Sequence, residues 1–155
     1  MLDPKQFREF VVRPTLRYLN LWTQAAENLV VGTAIQESGL RYVDQLTPGP
    51  GPAYGVFQIE KATHDDLLRW VQRTRPDLAG RLESLKGVHP PGVDQLHTNL
   101  AYGAAMCRLY YLRTGKPLPE ADDIEGMAAF WKRHYNTFKG KGRPDQFIRA
   151  YLAAH

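Results

Sequence analysis

Cysteine is nearly absent from the 155-residue chain, with Cys107 as the single example. One cysteine excludes an intrachain disulfide and every metal site of the Cys-x-x-Cys kind. Alone in the apolar stretch AAMCRLYYL, Cys107 is expected to pack as a small apolar side chain. The five histidines also lack a spacing typical of a zinc site. The sequence therefore predicts neither a metal site nor a cofactor.

Long apolar runs are missing as well. No stretch approaches the roughly 18 apolar residues that a membrane-spanning helix requires. The first residues, MLDPKQFREFVV, lack the basic-then-apolar order of a signal peptide. We therefore expect no membrane insertion, and we expect that any role outside the cytoplasm depends on delivery by other means.

Positive charge is present but not concentrated. The net charge is +4 and the calculated pI is about 9.3, yet the longest basic cluster, KGKGR, is short and diluted by glycine. This distribution suits a partner of modest negative charge, such as a cell-wall polymer, better than a duplex-DNA groove, so no nucleic-acid partner is expected. The sequence also lacks a phosphate-cradling glycine loop and a Gly-x-Ser-x-Gly elbow, which sets nucleotide and serine-hydrolase chemistry aside.

Local signals predict a succession of helices in a chain of single-domain length. Asp3 and Pro4 are expected to open the first helix, which Pro14 should kink or end. The second helix is predicted to start near Thr23 and to end at Ser38, with the following glycine in the left-handed C-cap position. The whole chain, 1–155, is expected to form one domain.

The rest of the chain follows the same pattern. Thr63, with two acidic residues after it, is expected to open a helix that stops before Pro76. The stretch TPGPGP (47–52) predicts an exposed loop, and YGVFQI predicts a small extended or β segment near residues 54–59. The fold class is therefore mostly α. Further helices are predicted over PDLAGRLESLKG, over 94–114 as the longest and most central one, through 124–135, and from 144 onwards.

A charged residue, Glu37, closes the otherwise apolar stretch NLVVGTAIQESG. Its helical stripe passes through Leu29, Val30 and Thr33, so the carboxyl shares the face that packs inward. The negative pole of the helix dipole and partial burial both favour the protonated form. A protonated glutamate in a cleft is a general acid, which glycosidic cleavage needs because the leaving oxygen must receive a proton. The alternative is a solvated glutamate at a helix end.

Four short motifs follow one another along the chain: ESG (37–39), GVFQI (55–59), NLAYG (99–103) and YN (135–136). In this order they resemble the lysozyme-like lytic transglycosylases and the goose-type lysozymes. The resemblance covers roughly residues 23–137 and leaves the two terminal helices outside it. It implies a lysozyme-like helical domain that cleaves the β-1,4 bond between N-acetylmuramic acid and N-acetylglucosamine in peptidoglycan.

The resemblance also implies roles for individual residues. Glu37 is similar to the catalytic acid of the family, and Tyr135 to the hydroxyl that orients it. Ser38 is expected to hydrogen-bond near the substrate. Gln58 and the backbone around Gly55 are expected to form part of the sugar-binding wall.

Three further positions complete the expected site. Asn136 is expected to support the neighbouring tyrosine. Phe57 stands where the family commonly has methionine and is expected to stack on a sugar face. His134 stands where the family commonly has alanine and is expected to narrow the cleft. The asparagine and glycine of NLAYG are interpreted as helix-packing positions rather than ligands.

Glu60 bears on which reaction is run. Goose-type lysozymes are similar in placing an acidic residue after the Gln-x pair and a basic residue next, so Glu60 is a candidate base for an attacking water. Two carboxyls about 6.5–9.5 Å apart would leave room for that water. Lytic transglycosylases need one carboxylate only, since the C6 hydroxyl of the muramic acid attacks the anomeric carbon. A solvated Glu60 beside Lys61 fits that route, which is slightly favoured.

The expected function is therefore that of a muramidase acting on peptidoglycan glycan strands. The missing signal peptide favours a bacteriophage protein, located in the virion or in the host cytoplasm, with other virion proteins as further partners. The rival hypothesis is a virion structural protein that keeps a lysozyme-like fold with little or no activity, because fold and function are separable.

Overall fold

The computed structural model describes residues 1–44, 51–136 and 140–155. It is mostly helical with a small antiparallel sheet of two strands, which confirms the predicted fold class. Most of the loop TPGPGP lies outside the described residues. The elements are α1 (Pro4–Phe7), a π-helical segment (Arg8–Val12), α2 (Arg13–Tyr18), α3 (Gln24–Ser38), β1 (Ala53–Tyr54), β2 (Ile59–Glu60), α4 (Lys61–Thr74), α5 (Pro76–Leu85), a 3-10 turn (Gly92–Asp94), α6 (Gln95–Thr98), α7 (Leu100–Leu112), α8 (Ile124–Trp131), a second π-helical segment (Lys132–Asn136) and α9 (Pro144–Ala154).

The helix α3 has the predicted start and end. The Thr23 hydroxyl accepts a hydrogen bond from the Ala26 amide at 3.0 Å, which satisfies one of the free N–H groups of the first turn. Gly39, at φ +62°, takes the left-handed conformation that ends the helix, and its amide donates to the Ile35 carbonyl at 2.8 Å. Most of α3 is buried, between the N-terminal helices and α7, α8 and α9.

The N-terminal helix also begins as predicted, because the Asp3 carboxylate accepts from the Gln6 amide at 3.0 Å and Pro4 occupies the first turn. Pro14 does not end the helical path. The π-helical segment runs directly into α2, which begins at Arg13, so the proline lies at the junction of the two, where the wider turn of the π-helix accommodates its ring and its missing N–H. The chain therefore stays helical to Tyr18.

The segment predicted as extended is a hairpin. Ala53 pairs with Glu60 and Tyr54 with Ile59, and the residues between them form the turn. The backbone amide of Gln58 donates to the Gly55 carbonyl at 3.0 Å and closes that turn. The Gly55 amide donates to the Val43 carbonyl at 2.8 Å and so ties the hairpin to the chain that follows α3.

Two helix boundaries differ from the prediction. The helix expected over 94–114 breaks at Asn99, whose side chain accepts from the Tyr102 amide at 3.0 Å and caps α7. Apolar periodicity runs through the break because α6 and α7 both bury apolar side chains in one core, so the pattern alone hides it. The second difference is in α4, which starts at Lys61 rather than at Thr63, although it ends before Pro76 as predicted.

The core surrounds α7, whose side chains are buried along most of its length. Cys107 is fully buried there, as predicted, and burial raises the pKa of its thiol. Gly103 packs against the ring of Phe57: a Cβ at that glycine would lie 3.1 Å from the ring. Across the described ranges, no helix is long and apolar enough to cross a membrane.

Candidate active site

Five of the residues that the sequence singled out line one cavity of about 410 Å³ at the C-terminal end of α3. We call it the Glu37 cleft. The end of α3, the hairpin and the π-helical segment after α8 each supply part of its wall. The five are Glu37, Gln58, Glu60, Tyr135 and Asn136, and they are joined by Ala53, Ile59, Thr63, Tyr110 and Gly140.

Glu37 is partly buried at the last turn of α3, with its carboxyl in the cleft. One oxygen, Oε1, accepts a hydrogen bond from the indole N–H of Trp131 at 3.0 Å. Burial raises the pKa of Glu37 to about 7, although the hydrogen bond from Trp131 acts in the opposite direction. The carboxyl is therefore protonated in a large fraction of molecules at neutral pH.

Trp131 is a hydrogen-bond partner of Glu37 that the sequence did not predict. Helical spacing predicts it as a core residue, and it is indeed buried. Its indole N–H nevertheless needs an acceptor, as a buried tryptophan usually does, and Glu37 provides one. The available signal was its position four residues before Tyr135, which puts both side chains on the same side of a helix.

Tyr135 lies in the cleft wall but has a different partner from the one implied by the family resemblance. Its hydroxyl donates to the Phe57 carbonyl at 2.6 Å, and the hydrogen bond to Glu37 comes from Trp131. Tyr135 therefore holds the hairpin turn against the end of α8. Tyr110 also lines the cleft, and its ring packs against that of Tyr135 in a tilted arrangement, with 4.5 Å between ring centroids.

Two predicted sugar contacts have structural roles instead. Phe57 is 1% exposed and packs against Phe7 and Gly103, so its ring cannot stack on a sugar. Gly55, at φ +75°, lies so close to α6 that a Cβ would meet the Leu96 carbonyl oxygen at 2.1 Å. Glycine is needed there for packing, and the residue does not line the cleft.

Ser38 does not face the Glu37 cleft. Its hydroxyl is buried, donates to the Ala34 carbonyl at 3.1 Å and accepts from the Leu40 amide at 3.2 Å. The first bond runs back within α3 to the residue four positions earlier, and the second gives an acceptor to the Leu40 amide just beyond the helix end. The Ser38 hydroxyl is therefore engaged at the end of α3, and its expected contact with a substrate stays a prediction.

Asn136 lines the cleft, and its side chain bonds to Lys132 rather than supporting Tyr135 as expected. The Lys132 ammonium donates to the Asn136 side-chain oxygen at 2.7 Å and to the Gly140 carbonyl at 2.9 Å. His134 points elsewhere: its ring packs at a tilt against Phe130 and lines a separate depression, so it does not narrow the cleft. These contacts leave one ammonium group at the edge of the Glu37 cleft.

Glu60 lies in the cleft wall at the junction of β2 and α4 and is exposed. It is the residue before the first turn of α4, yet its side chain does not cap that helix. Lys61 pairs with Asp65 at 2.6 Å instead of with Glu60. Among the described residues, no side chain forms an ion pair with the Glu60 carboxylate.

Within the described ranges, no three histidine, cysteine, aspartate or glutamate side chains lie close enough together to hold a metal ion. Comparisons of the chain with protein-family models, with curated proteins and with solved structures give no match. The geometry and electrostatics of the Glu37 cleft are therefore the basis for assigning a function.

Proposed function

We propose that the protein cleaves the β-1,4 bond between N-acetylmuramic acid and N-acetylglucosamine in peptidoglycan, with Glu37 as the general acid. The observation that carries this proposal is the Glu37 carboxyl, with a pKa near 7, in a cleft formed by three of the four motifs. A general acid works best when its pKa lies close to the working pH. Glu37 therefore has the protonation state that glycosidic cleavage requires.

The other lining groups suit a carbohydrate. Gln58, Thr63, Tyr110 and Asn136 bring amide and hydroxyl groups to the cleft wall. Such groups can donate to and accept from sugar hydroxyls and N-acetyl groups. The Lys132 ammonium at the edge and the net charge of +4 favour a polymer that carries carboxylates.

The hydrogen bond from Trp131 makes the two carboxyl oxygens of Glu37 inequivalent. Because Oε1 already accepts from the indole N–H, the proton is expected on Oε2, the oxygen left for the substrate. That proton passes to the glycosidic oxygen as the bond to the anomeric carbon breaks and positive charge develops on the sugar ring. Glu37 is then a carboxylate beside that charge.

We propose that the reaction ends without water, as in a lytic transglycosylase. The C6 hydroxyl of the muramic acid attacks the anomeric carbon, and the Glu37 carboxylate takes the proton that this hydroxyl releases. The product carries a 1,6-anhydro end, and the acid is ready for the next cycle. Support comes from Glu60: a base for water has to be positioned, and the described residues do not hold its carboxylate in place.

The decisive test is the clearing of purified peptidoglycan by the wild type and by Glu37→Gln. The amide keeps an acceptor for Trp131 but cannot supply the proton, so the rate should fall by at least ~100-fold. Glu83→Gln is the matched control, because Glu83 is an exposed glutamate on α5, and it should keep wild-type activity. Near-native clearing by Glu37→Gln would refute the assignment, and an inactive wild type would favour the virion structural protein.

Mass spectrometry of the digested peptidoglycan separates the two reaction routes. The proposed route predicts anhydro ends, lighter by one water than reducing ends, from both the wild type and Glu60→Gln. Reducing ends that disappear with Glu60→Gln would instead identify Glu60 as the base for hydrolysis.

A further inference from the structure

A second groove, of about 600 Å³, adjoins the Glu37 cleft. Glu37 and Gln58 line both cavities, so the two cavities adjoin each other at the acid. The far wall of this groove comes from α9, which lies outside the motif resemblance. Three alanines of α9 form that wall, so we call it the alanine groove: Ala150, Ala153 and Ala154.

The alanine groove has a different chemistry from the Glu37 cleft. The three alanines are spaced i, i+3 and i+4, so their methyl groups share one face of α9. Ile35 and Tyr42 bring further apolar surface to the same groove. Sugar rings carry hydroxyls at most positions and gain little from a wall of methyl groups, whereas small aliphatic side chains do gain.

A positively charged side chain lines the alanine groove. Arg41 contributes its side chain to the wall and forms no ion pair within the part of the chain that the structure describes. Asp44, which also lines this groove, has His97 as its neighbour, with 3.7 Å between His97 Nε2 and Asp44 Oδ1. A guanidinium of this kind suits a carboxylate on the ligand.

We propose that the alanine groove binds the peptide stem of the muramic acid at the cleavage site. The inference rests on the proposed function, because the stem is attached to the sugar whose bond Glu37 would cleave. Stem peptides contain alanine and glutamate residues, so their methyl groups match the α9 face and a stem carboxylate matches Arg41. Because the alanine groove adjoins the Glu37 cleft at Glu37 itself, a stem attached to the sugar at the acid lies within reach of the groove.

This arrangement makes the stem a determinant of specificity. The wild type should cleave strands that carry stems about tenfold faster, in kcat/KM, than the same strands after an amidase has removed the stems. That ratio is the order expected from one exposed ion pair and one partly buried methyl face together. This preference for strands with stems should be lost when either the alanine face of α9 or Arg41 is changed.

Two variants test the groove without touching the acid. Ala153→Trp fills it with an indole, and Ala129→Trp is the matched control, because Ala129 is an exposed alanine on α8 that lines neither groove. Arg41→Gln removes the cation, and Arg73→Gln, an exposed arginine on α4, is its control. Circular dichroism and thermal unfolding establish that each variant is folded, and Arg41→Gln, as a surface change, keeps the test valid if Ala153→Trp does not fold.

The expected result is that Ala153→Trp and Arg41→Gln slow the cleavage of intact strands to the rate of stripped strands. Both variants should cleave stripped strands like the wild type, and both controls should keep the full preference. Equal wild-type rates on the two substrates, or an unchanged preference in both groove variants, would overturn this inference and leave the proposed function standing. A wild type that cleaves neither substrate would overturn the proposed function, and this inference with it.

Discussion

Two glutamates on the same helix, Glu27 and Glu37, have opposite electrostatic environments. They lie in the first and last turns of α3, ten positions and so roughly 15 Å apart. The pKa of Glu27 is lowered to about 2, whereas the pKa of Glu37 is raised to about 7. The helix dipole acts in the direction of each pKa shift, because it favours negative charge at the N-terminus of the helix and disfavours it at the C-terminus.

The neighbours of Glu27 explain its low pKa. Burial alone would raise it, but hydrogen bonds from four donors outweigh burial and keep the carboxylate ionised. Arg13 donates at 2.6 Å and Arg8 at 2.7 Å, and they tie the N-terminal helices to α3. The indole N–H of Trp22 and the amide of Gln24 complete the set, at 2.9 and 3.0 Å.

Glu37 has a single donor and no cation within hydrogen-bond reach among the described residues. Burial then dominates, and the neutral acid is the favoured form. Burial by itself therefore does not decide what a glutamate does in this protein. The number and charge of the groups that surround it decide whether it holds the fold together or stores a proton.

The largest effect is expected from a substitution that breaks the Glu27 cluster, which consists of Glu27 and its four donors Arg8, Arg13, Trp22 and Gln24. Glu27→Gln removes the charge and leaves Arg8 and Arg13 without their partner, so unfolding should become easier by about 3–5 kcal/mol. Urea denaturation at pH 7 measures this change. Glu9→Gln, an exposed glutamate of the same N-terminal region, should change stability by less than ~0.5 kcal/mol. A loss below about 1 kcal/mol for Glu27→Gln would mean that the cluster is not structural.

The pH dependence of the Glu27 cluster has a defined sign. A lowered pKa means that the folded state binds this proton less tightly than the unfolded chain. The stability that Glu27 contributes is therefore complete above pH ~4.5 and is lost as the pH falls towards 2. Denaturation curves of the wild type between pH 5 and pH 2 should show this loss, and those of Glu27→Gln should show less of it.

The same substitution at the other end of α3, Glu37→Gln, should have the opposite effect and stabilise the protein. The raised pKa of Glu37 means that the folded state binds its proton more tightly than the unfolded chain. Wild-type stability therefore falls as the pH rises from ~4.5 through 7, by up to ~3 kcal/mol. Glu37→Gln should be more stable than the wild type at pH 8 and about equal at pH 4, by urea denaturation. A destabilised variant at pH 8 would contradict the pKa assignment.

Activity should follow the same proton. The wild-type kcat/KM is expected to be highest below pH 7 and to fall above it, as Glu37 ionises. Trp131→Phe removes the hydrogen bond that favours the carboxylate, so the fall should move to higher pH by about one unit. Trp70→Phe, a tryptophan on α4 outside the cleft, is the control. A shift to lower pH would show that Trp131 does not act on the Glu37 carboxylate.

The smallest effect is expected at Tyr135. Tyr135→Phe removes the hydroxyl that donates to the Phe57 carbonyl, which should cost about 1–3 kcal/mol of stability because that carbonyl is left without a donor. Activity should fall by about tenfold or less, since the proton of Glu37 is not involved. Tyr18→Phe, an exposed tyrosine, is the control. A loss of activity as large as that of Glu37→Gln would mean that Tyr135 takes part in the reaction.

The parts of the molecule that could be predicted from the chain alone are those set by neighbours in sequence. The threonine cap at Thr23 and the glycine at Gly39 act over three or four residues, so the end of α3 could be predicted at Ser38 and its start near Thr23. The inward face and helix-end position of Glu37 follow from the same periodicity, and with them the direction of its pKa shift. Periodicity was misleading only where a cap interrupts an apolar stripe, as at Asn99.

Tertiary packing decided the partners. The donor to Glu37 lies 94 residues away in sequence, and the acceptor of the Tyr135 hydroxyl lies 78 residues away. A helical or strand pattern defines which face of an element is buried, but not which group lies opposite, because that depends on how distant elements pack. The arginine cluster around Glu27 and the position of the alanine groove beside the Glu37 cleft both arise in this way, from helices brought together only in the folded chain.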